Sequence, residues 1–205
     1  IRSGESFGAR ARVGYNSADE GWTEGLALAG RSGAFSGLLA YTRRDAQETE
    51  NMAETGGVGA ARTQPNPQDF ASNAVLAKLV WDVNPDHVVR LTYDHFDQDM
   101  SGDALSTRGS STMAMPGRTT ITTVNQVLAE DETQRDRVSL DWRFSDFLGL
   151  DKGSVAGFWQ EATTRQFTFE DRDITTIVGA APPVTVSGDR TRDVTFDNSV
   201  WGLAA

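Results

Sequence analysis

The stretch VLAKLVWDVNPDHVVRLTYDHFDQD, residues 75–99, alternates apolar and polar residues on both sides of Asn84-Pro85-Asp86-His87. A period of two marks a strand, because successive side chains leave opposite faces of a pleated backbone. Val75, Ala77, Leu79, Trp81 and Val83 then share one face, with Lys78 and Asp82 on the other; in the second run Val89, Leu91 and Tyr93 oppose Arg90, Thr92 and Asp94. Pro and Asn in the link suit a tight turn and end a ladder. The pattern predicts a β-hairpin with one apolar and one charged face. Two homes exist for the apolar face: the core of a soluble sheet protein, or the lipid around a membrane barrel with a wet interior.

The alternation recurs along the chain. ARARVGY (9–15) sets Ala9, Ala11, Val13 and Tyr15 against Arg10, Arg12 and Gly14. RVSLDWRF (137–144) sets Val138, Leu140, Trp142 and Phe144 against Arg137, Ser139, Asp141 and Arg143, and DVTFDNSV (193–200) sets Val194 and Phe196 against Thr195, Asp197 and Ser199. Looser strands are expected over 22–30, 35–45 and 154–169, which makes about eight strands and no long helix. Connections 31–34, 84–87 and 145–153 are short, while 47–72, 100–134 and roughly 170–190 are long and polar; 16–21 is short and breaks the rhythm. Outer-membrane barrels show this asymmetry, with short periplasmic turns and long extracellular loops. Structureless loops of that length are uncommon in a compact soluble domain.

Composition narrows the choice. The 205 residues suit one good-sized domain, but 38% apolar content and 20 glycines, with a mean hydropathy of -0.42, are lean for a conventional core. A net charge of -10 argues against nucleic acid, which needs clustered Lys and Arg. No run approaches the roughly 18 apolar residues of a spanning helix. The opening IRSGESFGAR has no Met and no apolar stretch, so the chain reads as a mature or excised piece. The absence of cysteine excludes a disulfide framework and thiolate metal sites.

Three architectures remain. In a soluble β-sandwich the apolar faces meet a second sheet. A complete small eight-stranded barrel would serve as an adhesin or anchor, although WGLAA lacks a terminal aromatic. In a larger barrel the apolar face meets lipid, and Arg10, Arg12, Lys78, Asp82, Arg90, Asp94, Arg137, Asp141 and Arg143 line a hydrated lumen and pair with one another. The larger barrel also gives Trp81 and Trp142 a place, since each lies three residues before a short turn, where an interfacial aromatic girdle sits.

SFGARARVGYNSADEGW, AGRSGAFSGLLAYTRRDAQETEN, RTQPNPQDFASNAVLAKLVWDVNPDHVVRLTYDHF and VTFDNSVWGL together resemble the early barrel strands of TonB-dependent outer-membrane receptors, in the group that takes haemoglobin, haem, transferrin and lactoferrin. The resemblance runs from about Ser6 to Leu203, and its most specific piece is RTQPNPQDF…LAKL followed by the Asn-Pro turn. It implies an all-β fold, an antiparallel transmembrane barrel of 22 strands with a plugged lumen. Residues 1–205 would supply about the first third of it, without the plug, the TonB box, the later haem-pocket motifs or the remaining strands. The resemblance also implies an outer-membrane location in a Gram-negative bacterium. The implied partners are lipid, the TonB complex acting through the plug, and extracellular haem or another iron carrier as transported ligand. No intrinsic cofactor is implied.

Site chemistry is sparse. His95, near Tyr93, is the one candidate ligand residue, since haem iron is held by His or Tyr; its parity puts it on the face of Leu91 and Tyr93, which favours a structural role. His87 is expected to be a solvated turn residue. Asp94, Asp97, Asp99 and Asp103 have a density that would suit calcium but lack the EF-hand spacing, so a solvated loop is expected. No nucleophile elbow, phosphate loop or zinc motif is present, so binding rather than catalysis is expected. Loops 47–72 and 100–134 are expected outside the cell and the 84–87 turn in the periplasm. Strands near 9–15 and 192–200 are expected to be unpaired edges.

Overall fold

A computed structural model describes residues 6–205. The strands are β1 (Ser6–Asn16), β2 (Gly21–Ser32), β3 (Phe35–Gln47), β4 (Gln68–Asn84), β5 (His87–Asp103), β6 (Gly109–Met115), β7 (Arg118–Phe147), β8 (Leu150–Val178), β9 (Val184–Ser187) and β10 (Arg190–Ala204). Among the described residues the one helical element is a 3-10 turn, Leu105–Thr107. All strands belong to one 10-stranded antiparallel sheet of order β1-β2-β3-β4-β5-β7-β8-β10, with β6 and β9 added on β7 and β8. The sheet is open, with β1 paired only to β2 and β10 only to β8. The complete eight-stranded barrel is therefore not formed among the described residues.

Neither is a sandwich core. No apolar side chain is buried among the described residues, and Leu79, Trp81 and Leu91 are 47%, 44% and 44% exposed. A sheet of this kind has no second layer to absorb its apolar face.

Three tight turns close one end of the sheet: Gly33-Ala34, Pro85-Asp86 and Leu148-Gly149. Leu148 and Gly149 both take positive φ (54° and 79°), which matches a type I′ hairpin whose twist fits the strands it joins. The opposite end carries the wider connections, including 48–67. Two expected loops are corrected here. Residues 100–134 are largely strand: β5 continues to Asp103, β6 follows, and β7 runs 30 residues from Arg118. Likewise β8 extends for 29 residues to Val178, and β9 lies within the expected 170–190 loop. Sequences such as RTTITT pair on both edges, but neither face is covered, so they lack apolar alternation.

Register sorts the side chains by face, because directly paired residues of an antiparallel ladder point the same way. Three cross-strand rows form an apolar band: Phe35-Trp81-Val89-Trp142-Val155, then Gly37-Leu79-Leu91-Leu140-Gly157, then Leu39-Ala77-Tyr93-Val138-Trp159. Trp201 and Leu203 join it by pairing with Trp159 and Gly157. Aromatics mark both margins. Near the tight turns Phe35 stacks on Trp81 at 5.8 Å, and Trp142 meets Phe144 at 5.0 Å; at the other margin stand Tyr41, Tyr93 and Trp159. On β1 and β2 that margin climbs to the Tyr15–Trp22 pair, which lies level with Asp45, beyond Tyr41. The band thus slants across the hydrogen-bond rows. Glu24, cross-strand to Arg43, interrupts it on β2.

The β10 assignment is also corrected. Its register places odd-numbered residues on the banded face, so Val194 and Phe196 share the charged face and Thr195, Asp197 and Ser199 do not. Both parities of β10 carry apolar residues, and the 193–200 window stops short of Trp201 and Leu203.

Candidate functional site

The face opposite the band holds the predicted charges. Register places Arg10, Arg12, Lys78, Asp82, Arg90, Asp94, Arg137, Asp141 and Arg143 on it together. The expectation that they pair with one another is corrected. Asp82 pairs with Arg31 at 2.7 Å and Asp94 with Arg135 at 2.7 Å, two arginines the sequence did not single out. Arg10, Arg12, Lys78, Arg90, Asp141 and Arg143 make no ion pair among the described residues, although Arg90 and Asp141 are direct cross-strand partners. The Arg137 guanidinium lies 4.6 Å from the Phe158 ring centroid. Cations therefore exceed anions on this face, in a chain whose net charge is -10.

The missing negative charge lies on the other face, beyond the aromatic margin. Asn73 donates to Asp97 at 2.9 Å, Tyr93 Oη donates to Asp136 at 2.7 Å, and Thr163 donates to Asp197 at 2.7 Å. Arg165 forks onto Asp193 at 3.0 and 2.9 Å and reaches Glu132 at 3.4 Å. Periodicity alone could not have found this polar belt, because where apolar alternation stops the sequence no longer shows that strand pairing continues.

His95 belongs to the belt. Its Nδ1 lies 2.8 Å from Asp136 and its Nε2 3.3 Å from Asp97, so both ring nitrogens are engaged by carboxylates. The ring, as placed, has no unengaged nitrogen to offer a haem iron. His87 is not simply solvated: it stacks on Trp142 at 5.7 Å, meets Phe147 edge-on, and its Nδ1 accepts from the Trp142 indole N–H at 3.2 Å. Residues 94–103 are strand rather than loop, and three of their four acids are separately occupied: Asp94 by Arg135, Asp97 by Asn73 and His95, and Asp103 by Arg108.

At the end with the wider connections, a hollow of about 590 Å³ gathers Glu20, Asp45, Asp69, Asp99, Glu130, Asp131 and Glu132 around Trp22, Phe70 and Met100. These residues come from the β1–β2 turn and from five strands, β2, β3, β4, β5 and β7, so no linear motif announces the hollow. Elsewhere, the connection after β9 is pinned by Asp189, which accepts from Ser187 Oγ at 2.8 Å and from the Arg172 N–H at 3.2 Å. Those bonds, the Ser187 hydroxyl first, hold its carboxyl below the ordinary aspartate value.

No family model matches the chain. Over 50 residues it is 38% identical to Transferrin-binding protein A of Haemophilus influenzae, a match that covers 24% of this chain and 6% of that protein. The chain is thus similar, over a limited stretch, to a small part of a much longer protein named for binding transferrin.

Proposed function

We propose that residues 1–205 are part of the β-barrel of a TonB-dependent outer-membrane receptor that imports haem or another iron carrier. The observation that carries this reading is the slanted apolar band, bracketed by aromatic residues, on a sheet with no second layer to cover it. Water is a poor home for such a band, whereas a bilayer accepts it. The limited similarity to Transferrin-binding protein A supports an iron carrier as ligand, since transferrin is one.

In this reading the tight turns face the periplasm and the wider connections, with the outer parts of β7 and β8, stand outside the cell and meet the ligand. The charged face lines the lumen, where a plug sits and the TonB complex pulls on it. β1 and β10 pair with further strands. No bond-making chemistry is needed, and the chain's residues serve as scaffold and binding surface.

The test is to express the full-length protein in a strain with and without a working TonB complex. Recovery in the outer-membrane fraction and TonB-dependent growth on transferrin or haem as iron source are expected. A full-length protein that is monomeric and folded in water without detergent would refute the reading.

A further inference from the structure

We propose that the charged face contains a binding site for one small oxyanion, a carboxylate or phosphate group, built from Lys78, Arg137, Thr92 and Ser139. The argument for the site rests on strand register and local chemistry; only the second source named below, a segment of the longer protein, rests on the receptor reading.

Lys78, Thr92 and Ser139 are consecutive members of one cross-strand row on β4, β5 and β7. Direct neighbours in such a row have Cβ atoms about 4.5–5.5 Å apart, so an ammonium and two hydroxyls converge on a space the size of one small group. In the adjacent row Asp94 pairs with Arg137 across β5 and β7. Together with Leu76 and Arg135 these residues enclose a hollow of about 270 Å³.

The charges inside this hollow are not balanced. Asp94 is its one acid, and the Arg135 guanidinium holds it at 2.7 Å. Lys78 and Arg137 are left without an ion pair among the described residues, and the Thr92 and Ser139 hydroxyls without a hydrogen-bond partner. Arg137 is nevertheless held in place, its guanidinium 4.6 Å from the Phe158 ring centroid. A cation fixed over an aromatic face has already lost part of its side-chain freedom, so an incoming anion meets a preorganised partner. A guanidinium donates in a planar fork that matches a carboxylate or phosphate edge, the ammonium adds a point charge, and the hydroxyls donate to the remaining oxygens. Cationic ligands are disfavoured by the same two charges.

The oxyanion has two sources that share this chemistry: a free anion, or the acidic side chain of a segment of the longer protein that reaches this face. Calorimetric titration of the full-length protein in detergent with inorganic phosphate separates them, using wild type, Lys78→Gln, Arg137→Gln and, as a control on the same face outside the hollow, Arg143→Gln. For a free anion, saturable binding is expected in wild type, weakened at least tenfold by Lys78→Gln or Arg137→Gln and unchanged by Arg143→Gln. For a resident side chain, wild type takes up no phosphate. Lys78→Gln and Arg137→Gln then each lower the melting temperature, their combined effect falls short of the sum, and Arg143→Gln leaves it unchanged. Phosphate binding of equal strength in all four proteins overturns the proposal. So does the absence of both binding and a melting shift specific to Lys78 and Arg137.

Discussion

The far edge of the Phe144 ring lies over its direct cross-strand partner Gly153, so close that a Cβ placed on Gly153 would collide with it. The ring cannot step aside freely, since it also meets Trp142 at 5.0 Å and Phe147 at 5.3 Å. Gly153→Val should therefore destabilise the β7–β8 hairpin by about 1–3 kcal/mol, the usual cost of overpacking. Gly25→Ala is the comparison, because its nearest neighbour, Thr42 Oγ1, lies at an ordinary 3.6 Å. Thermal melts of the full-length protein check both variants. In a Phe144→Ala background the penalty at Gly153 should disappear; if it persists, the ring is not its cause.

Acid should loosen the connection that follows β9. Asp189 has a carboxyl pKa lowered by the Ser187 hydroxyl and the Arg172 amide. A group depressed in the folded state contributes stability that is fully present above its unfolded value, about 3.9, and is lost as pH falls through the lower folded value. Carbon-13 titration of labelled aspartates should place Asp189 below the ordinary aspartates. Ser187→Ala should move it back towards them. An unchanged titration in that variant would show that the hydroxyl is not the main cause.

Sidedness is open to direct measurement. Met52 is fully exposed in the wide connection between β3 and β4, and Leu148 is 86% exposed in a tight turn at the other end of the sheet. With single cysteines at these positions in the full-length protein, an impermeant thiol reagent on intact cells should label Met52→Cys and spare Leu148→Cys. The opposite result inverts the proposed topology.

How much was readable depended on whether one face was apolar. The β4–β5 hairpin was legible because Leu79 and Leu91 alternate with Lys78 and Arg90, and the observed register pairs Leu79 with Leu91. The outer halves of β7 and β8 were not, because Thr119 to Thr123 and their partners on β8 offer no apolar side to reveal a period of two. β10 misled, since Phe196 and Trp201 argue for opposite parities and only pairing with β8 decides between them. Register puts the nine charged positions on one face, but their pairing was not legible. Arg31 and Arg135 reach Asp82 and Asp94 from strands whose register the sequence does not state. The acidic hollow near Phe70 joins residues far apart in the chain, and periodicity is blind to such convergence.

In the proposed barrel, which face meets lipid is best decided by two neighbouring residues on β5. Leu91 sits in the middle row of the apolar band, between Leu79 and Leu140, while Arg90, one residue away, points to the charged face. The two positions have nearly the same depth, so a comparison between them isolates facing. An arginine on the lipid side of a barrel strand near the bilayer midplane costs about 2–4 kcal/mol, whereas a hydrated interior tolerates charge. Leu91→Arg should sharply reduce the amount of full-length protein that reaches its folded, heat-modifiable form in the outer membrane. Arg90→Gln should leave that amount unchanged, because Arg90 makes no ion pair among the described residues and its loss strands no buried partner. Normal assembly of Leu91→Arg combined with failed assembly of Arg90→Gln would mean that the band faces protein and the charged face meets lipid headgroups, an arrangement that a row of leucines bracketed by tryptophans makes energetically unfavourable.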